Sequence, residues 1–106
     1  MTTALITAPK TATRGDVITL KAMLAHPMET GYRRDMSGAV IPRDILHTFI
    51  CRYDGADVFR ADFFPAVAAN PFISFTTIAT KSGPIEFKWL GDDGKEYVEK
   101  IEIQVG

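Results

Sequence analysis

Soft metal ligands and a single thiol are the side chains here whose types could support chemistry. His26, Met28, Met23 and Met36 fall within one short window, and thioether with imidazole suits Cu(I). Only one soft residue besides His26 sits at a coordinating spacing, His26 directly precedes a proline, and methionine ordinarily fills packing gaps. The simpler expectation is that His26 caps a strand end. His47 and Cys51 are four apart, which on a strand puts them on one face about 13 Å from each other. A nucleophilic cysteine needs its base within hydrogen-bond reach. Phe49 stands between the two, so Cys51 reads as a small buried hydrophobe. Asp92 and Asp93 lie in a turn made by glycines and read as solvated charge. No glycine-rich phosphate loop leads into a helix, and no helical stretch is long enough to offer its N-terminus to a cofactor. These residues point to no catalytic centre, metal or cofactor.

Surface chemistry of another kind remains. Five of the six arginines, Arg33, Arg34, Arg43, Arg52 and Arg60, are interleaved with Tyr32, Tyr53, Phe59, Phe63 and Phe64. Tyr, Phe, Met and Arg are enriched at protein interfaces, and guanidinium binds carboxylates and oxyanions in a fork geometry. The bland reading is that these arginines alternate with Asp35, Asp44, Asp54 and Asp57 merely to solvate loops. Phe63 beside Phe64 is sharper, because neighbours on a strand point to opposite faces and one ring must leave the core. The candidate partner-binding residues are therefore Met28, Tyr32, Arg33, Arg34, Arg60, Phe63, Phe64 and Phe72.

The elements that must position these residues follow a period of two, and helical periodicity is absent. Strands are predicted over Ala4–Ala8, closed by Pro9, and over Val17–His26, with Ile18, Leu20, Ala22 and Leu24 on the buried face. Residues 27–44 break every period, and within them Thr30–Arg34 and Ala39–Ile41 flank a hairpin turn made by Asp35, Met36, Ser37 and Gly38. Ile45–Tyr53 places His47, Phe49, Cys51 and Tyr53 on one face, and Asp54-Gly55 turns the chain into Val58–Phe63. Pro65–Pro71 allows a turn of helix that Asn70 can end. Phe72–Thr80 and Ile85–Leu90 follow, with Ile85, Phe87 and Trp89 inward. The last strand buries Tyr97, Ile101, Ile103 and Val105. About seven strands at this spacing predict an all-β, immunoglobulin-like or fibronectin-type two-sheet sandwich.

Composition narrows the function classes. One domain spanning 1–106 is expected from 106 residues, 46% of them hydrophobic and 24% charged. A formal charge of -1 offers no field for phosphates, so nucleic acid is not an expected partner. No window approaches the roughly 18 uninterrupted apolar residues of a membrane-spanning helix, and a membrane is not an expected partner either. The lone Cys51 excludes an internal disulfide. Met1–Lys10 lacks the basic and apolar regions of a signal peptide, so export, if it occurs, is expected to depend on a carrier.

The run His26-Pro-Met-Glu-Thr-Gly-Tyr-Arg-Arg-Asp35 resembles the hallmark of SoxZ, one subunit of the SoxYZ carrier of bacterial sulfur oxidation. Ile41-Pro-Arg-Asp44, Phe59-Arg-Ala-Asp62 and Pro65-Ala-Val-Ala-Ala-Asn-Pro71 look like further segments of that family, in the same order. The resemblance implies a fibronectin-like sandwich that is not itself an enzyme. It also implies pairing with a SoxY-type subunit, whose C-terminal glycine-flanked cysteine carries the sulfur intermediate, and transient contacts with sulfur-oxidising enzymes. It places the carrier in the periplasm, this subunit leaving the cell bound to its partner. The C-terminus Ile101–Gly106 has no cysteine, in keeping with that division of labour. Two rival expectations are a free-standing copper- or small-ligand-binding module on the same sandwich, and a thiol enzyme using Cys51.

Overall fold

Alternating side chains divide the chain into strands with one apolar face each, and two such faces meet. The computed structural model describes residues 4–64, 67 and 69–106. It contains β1 (Ala4–Thr7), β2 (Thr11–Ala12), β3 (Val17–Leu24), β4 (Leu46–Tyr53), β5 (Ala56–Asp62), β6 (Phe72–Ile78), β7 (Gly83–Gly91) and β8 (Glu96–Val105). One sheet has three strands in the order β1-β3-β6, and the other has five in the order β2-β8-β7-β4-β5. All pairings are antiparallel except β2 with β8. This is the expected immunoglobulin-like sandwich, drawn out to 59 × 19 × 19 Å.

The buried faces come from the alternation that predicted them. Ile18, Leu20, Ala22 and Leu24 of β3 face Phe49, Cys51 and Tyr53 of β4 and Ile85, Phe87 and Trp89 of β7. Phe49 is the hub, its ring centroid lying 5.2 to 6.3 Å from those of Trp89, Phe75, Phe59 and Phe87. Phe59 of β5 stacks on Phe75 of β6 at 4.3 Å with the rings 9° from parallel, closing the side of the sandwich where both strands are edges. Tyr53 pins β4 to the β6–β7 corner: its hydroxyl donates to the Lys81 carbonyl and accepts the N–H groups of Thr80 and Lys81. Asp54 and Gly55, both at positive φ, make the two-residue turn that sets Tyr53 opposite Ala56.

Two expectations change. The two-residue β2 carries no alternation to betray it; Pro9, which cannot donate to a ladder, ends β1 and lets the chain cross to the other sheet, where Gln104 N–H bonds to the Lys10 carbonyl. His47 does not share the face of Phe49, Cys51 and Tyr53. The pairing of β4 with β7 slips between Leu46 and Thr48, which reverses the alternation and leaves His47 half-buried beside the Thr48 hydroxyl. The helical turn expected over Pro65–Pro71 falls partly on 65, 66 and 68, outside the described residues. Asn70 itself has the left-handed backbone expected of it, with φ 53°.

Candidate functional site

Between β3 and β4 the chain forms a finger. Its legs are joined by bridges between Glu29 and Asp44 and between Arg34 and Val40. Every residue from Tyr32 to Val40 is exposed. The tip is the predicted turn: Gly38 N–H bonds to the Asp35 carbonyl at 3.0 Å, and the Asp35 carboxylate accepts the Ser37 N–H and hydroxyl and the Ala39 N–H. Those bonds, the Ser37 hydroxyl foremost, hold the Asp35 carboxyl below its ordinary value. The legs contribute bridges rather than full strands, because Pro27, Gly31 and Pro42 interrupt them.

The base of the finger is clamped. Arg43 grips Asp92 with Nε at 2.8 Å and its second nitrogen at 3.0 Å, and Ile45 N–H reaches the same carboxylate at 3.2 Å. Asp93 accepts Lys95 N–H and the Tyr97 hydroxyl. Both aspartates stay exposed in the turn, as the sequence suggested, and both also anchor the chain around them. At Gly31, φ is +88° and a Cβ would meet Arg43 Cβ at 3.0 Å, so only glycine fits where the legs cross.

His26 and Asn70 form a clasp that the sequence did not reveal. Asn70 N–H donates to the His26 carbonyl at 2.7 Å, and His26 N–H donates to Asn70 Oδ1 at 2.9 Å. Each precedes a proline, the one trace of the pairing in the sequence. His26 Nδ1 then accepts Met28 N–H at 3.0 Å, and Met28 Sδ accepts Leu46 N–H at 3.3 Å. His26 and Met28 of the copper reading are thus engaged in fixing the root of the finger, while Met23 lies on β3 between Leu5 and Phe72 and Met36 is fully exposed at the finger tip. Among the described residues no group of three or more His, Cys, Asp and Glu is placed to hold a metal ion.

The candidate contact residues separate. Met28 is 4% exposed, so it offers no surface and belongs to the core; its position before the bridged Glu29 turns it inward. Phe63 is half-buried against the core while Phe64 is 64% exposed, the split expected of adjacent rings. Tyr32 and Phe72 are exposed. Arg33 pairs with Glu29 at 2.6 Å, and Arg60 lies 3.8 Å from Asp62. Arg34 has no carboxylate partner among the described residues and donates to the Gly38 carbonyl at 2.8 Å. Cys51 is fully buried, and that burial pushes its thiol up to about 12.

The SoxZ family, described as Sulphur oxidation protein SoxZ, matches residues 6–102. The chain belongs to the SoxZ family. A comparison with curated proteins gives no match. Among solved structures, the superoxide reductase (neelaredoxin) of Ignicoccus hospitalis is similar at TM-score 0.75 and 18% identity, covering 98% of this chain and 80% of that one. A putative superoxide reductase of Thermotoga maritima is similar at TM-score 0.74 and 15% identity, covering 97% and 85%. The sulfur carrier protein SoxY of Chlorobium limicola f thiosulfatophilum is similar at TM-score 0.67 and 17% identity, covering 97% and 78%. At such identities these likenesses establish the sandwich alone. In this SoxZ-family chain, the run His26–Asp35 that carries the resemblance is the clasped root and first leg of the finger.

Proposed function

We propose that this chain is the non-catalytic subunit of a heterodimeric sulfur carrier. It pairs with a SoxY-type subunit that bears the substrate cysteine, and it presents the finger to sulfur-oxidising enzymes of the same pathway. The observation that carries the reading is the state of Cys51. The only thiol is fully buried and protonated well above neutral pH, so it has neither the access nor the thiolate character for a sulfur adduct. A SoxZ-family sandwich in that condition needs a second polypeptide to hold the sulfur. At the finger tip, Arg34 with exposed Tyr32, Met36 and Val40 supplies the mix of cation and apolar surface that enzyme docking uses. The carrier works in the periplasm, this subunit travelling with its partner.

Mixing the chain with a SoxY-type subunit and loading the mixture with thiosulfate in the presence of the oxidising enzymes tests the proposal. A one-to-one complex with the mass adduct on the partner's cysteine is expected. An adduct on Cys51, or the absence of a complex, would overturn it.

A further inference from the structure

The sandwich has four edge strands, β1, β6, β2 and β5, and three of them are protected. β1 is four residues long and stops before Pro9, and β2 is two residues long. β5 carries Asp57, Arg60 and Asp62, and its register against β4 slips beside Val58. Short edges, proline, charge and bulges are the devices that keep an open ladder from recruiting another chain. β6 has Pro71 just before it and none of these devices within its own length. Its seven residues, Phe-Ile-Ser-Phe-Thr-Thr-Ile, contain no charge, proline or glycine, and they pair with β3 without a slip from Met23–Phe72 to Val17–Ile78. Among the described residues, no backbone hydrogen bond from 73–78 reaches anything other than β3.

The outer face beside this edge is also uncovered. Leu5 stands opposite Met23, and Met23 opposite Phe72, so the three make one apolar row across the whole three-stranded sheet. Leu5 is 58% and Phe72 62% exposed, and Val17 and Ile78 form a second exposed pair at the far end. The five-stranded sheet turns a different face to solvent, laced by the pairs Glu86–Lys100, Lys88–Glu96 and Arg52–Asp57. Between the two apolar ends the first face carries Thr7, Thr19, Lys21, Ser74 and Thr76, so its partner surface concentrates at the row of Leu5, Met23 and Phe72.

We propose that the open edge of β6 receives an edge strand of the SoxY-type subunit, so that the three-stranded sheet continues across the subunit boundary with Phe72 and its row beneath the joint. The inference rests on the pairing proposed above. The occupant follows from the fold: SoxY of Chlorobium limicola is itself a sandwich that overlays 97% of this chain, and an edge of the same architecture has the twist to match a ladder about 23 Å long. Main-chain bonds would supply a continuous joint that needs no charge, as strand addition does elsewhere.

Hydrogen exchange of the full chain, alone and in mixture with the full SoxY-type subunit, reads this directly. Outward amides within 73–78 are expected to slow at least tenfold in the complex, while 57–62 stay unchanged. Ser74→Glu, opposite Lys21, with Thr76→Lys, opposite Thr19, at exposed positions of β6, should weaken the complex at least tenfold without lowering the melting temperature of the isolated chain. A complex that forms with 73–78 unprotected, or that ignores the two charges, overturns this inference and leaves the pairing standing. Protection of 73–78 in the chain alone that rises with concentration also overturns it, by making a second copy the occupant. If no complex forms, the pairing reading fails and this one with it.

Discussion

Cys51 pairs with Phe59 on one side and Phe87 on the other, with its sulfur turned into the core, and that position governs its acid–base behaviour. An ordinary thiol near 9 is pushed up to about 12 by burial alone. Below the unfolded value both states hold the proton. As pH climbs from 9 toward 12 the unfolded chain loses it first, and the buried thiol's contribution to stability drains away. Cys51→Ala should cost about 1–2 kcal/mol at neutral pH for the lost packing. In urea melts its deficit against the parent should narrow over that alkaline window, and a pH-independent deficit would contradict the assignment. Most of this was legible beforehand, since alternation alone put Cys51 inside with Phe49 and Tyr53. His47 was misplaced on the same rule because a bulge reverses alternation and leaves no mark in composition.

The finger owes its shape to a few polar contacts at its two ends. Asp92 shows the balance at the base: loss of water pushes its carboxyl up, but the hydrogen bonds from Arg43 and Ile45, with the Arg43 charge, pull it further down. A depressed carboxyl contributes stability above its unfolded value, near 3.8, which is lost as pH falls through the lower folded one. Asp92→Asn should therefore flatten part of the stability lost as pH falls through and below the unfolded value, while costing about 1–3 kcal/mol at neutral pH. Urea melts from neutral pH down past that value check both. At the tip, Arg33→Ala with Arg34→Ala should leave the fold intact and lower the turnover of partner enzymes on the loaded carrier, most strongly at low salt. Rates and salt dependence that stay the same would remove the finger from docking. The turn at Asp35–Gly38 was readable because aspartate and glycine at those positions have a local cause. The clasp of His26 on Asn70 was not, because it spans 44 residues and three of its four groups are main-chain, with the Asn70 side-chain oxygen as the fourth.

The molecule as a whole is held by one aromatic cluster between two sheets. Phe49 touches both sheets through Phe59, Phe75, Phe87 and Trp89, so Phe49→Ala should cost about 3–5 kcal/mol and unfold both sheets in one transition. Denaturant melts followed by circular dichroism would show this, and two separate transitions would contradict a shared core. The architecture was open to sequence reading because a period of two survives in β3, β7 and β8. β2 escaped because two residues cannot display a period. The choice of partner face needed register, since only the pairing of Leu5 with Met23 and Met23 with Phe72 turns scattered apolar residues into a row.

Trp89 is the chain's only indole, and it is sealed in the middle of that cluster with its N–H meeting no acceptor among the described residues. The protein therefore contains its own optical reporter. Excited in the folded state, the ring should glow at the short-wavelength end of the tryptophan range, and the colour should move to longer wavelength only when solvent reaches the space between the layers. Engagement of a companion at the outer surface should leave that colour alone, so one lamp can tell loss of the native state apart from assembly.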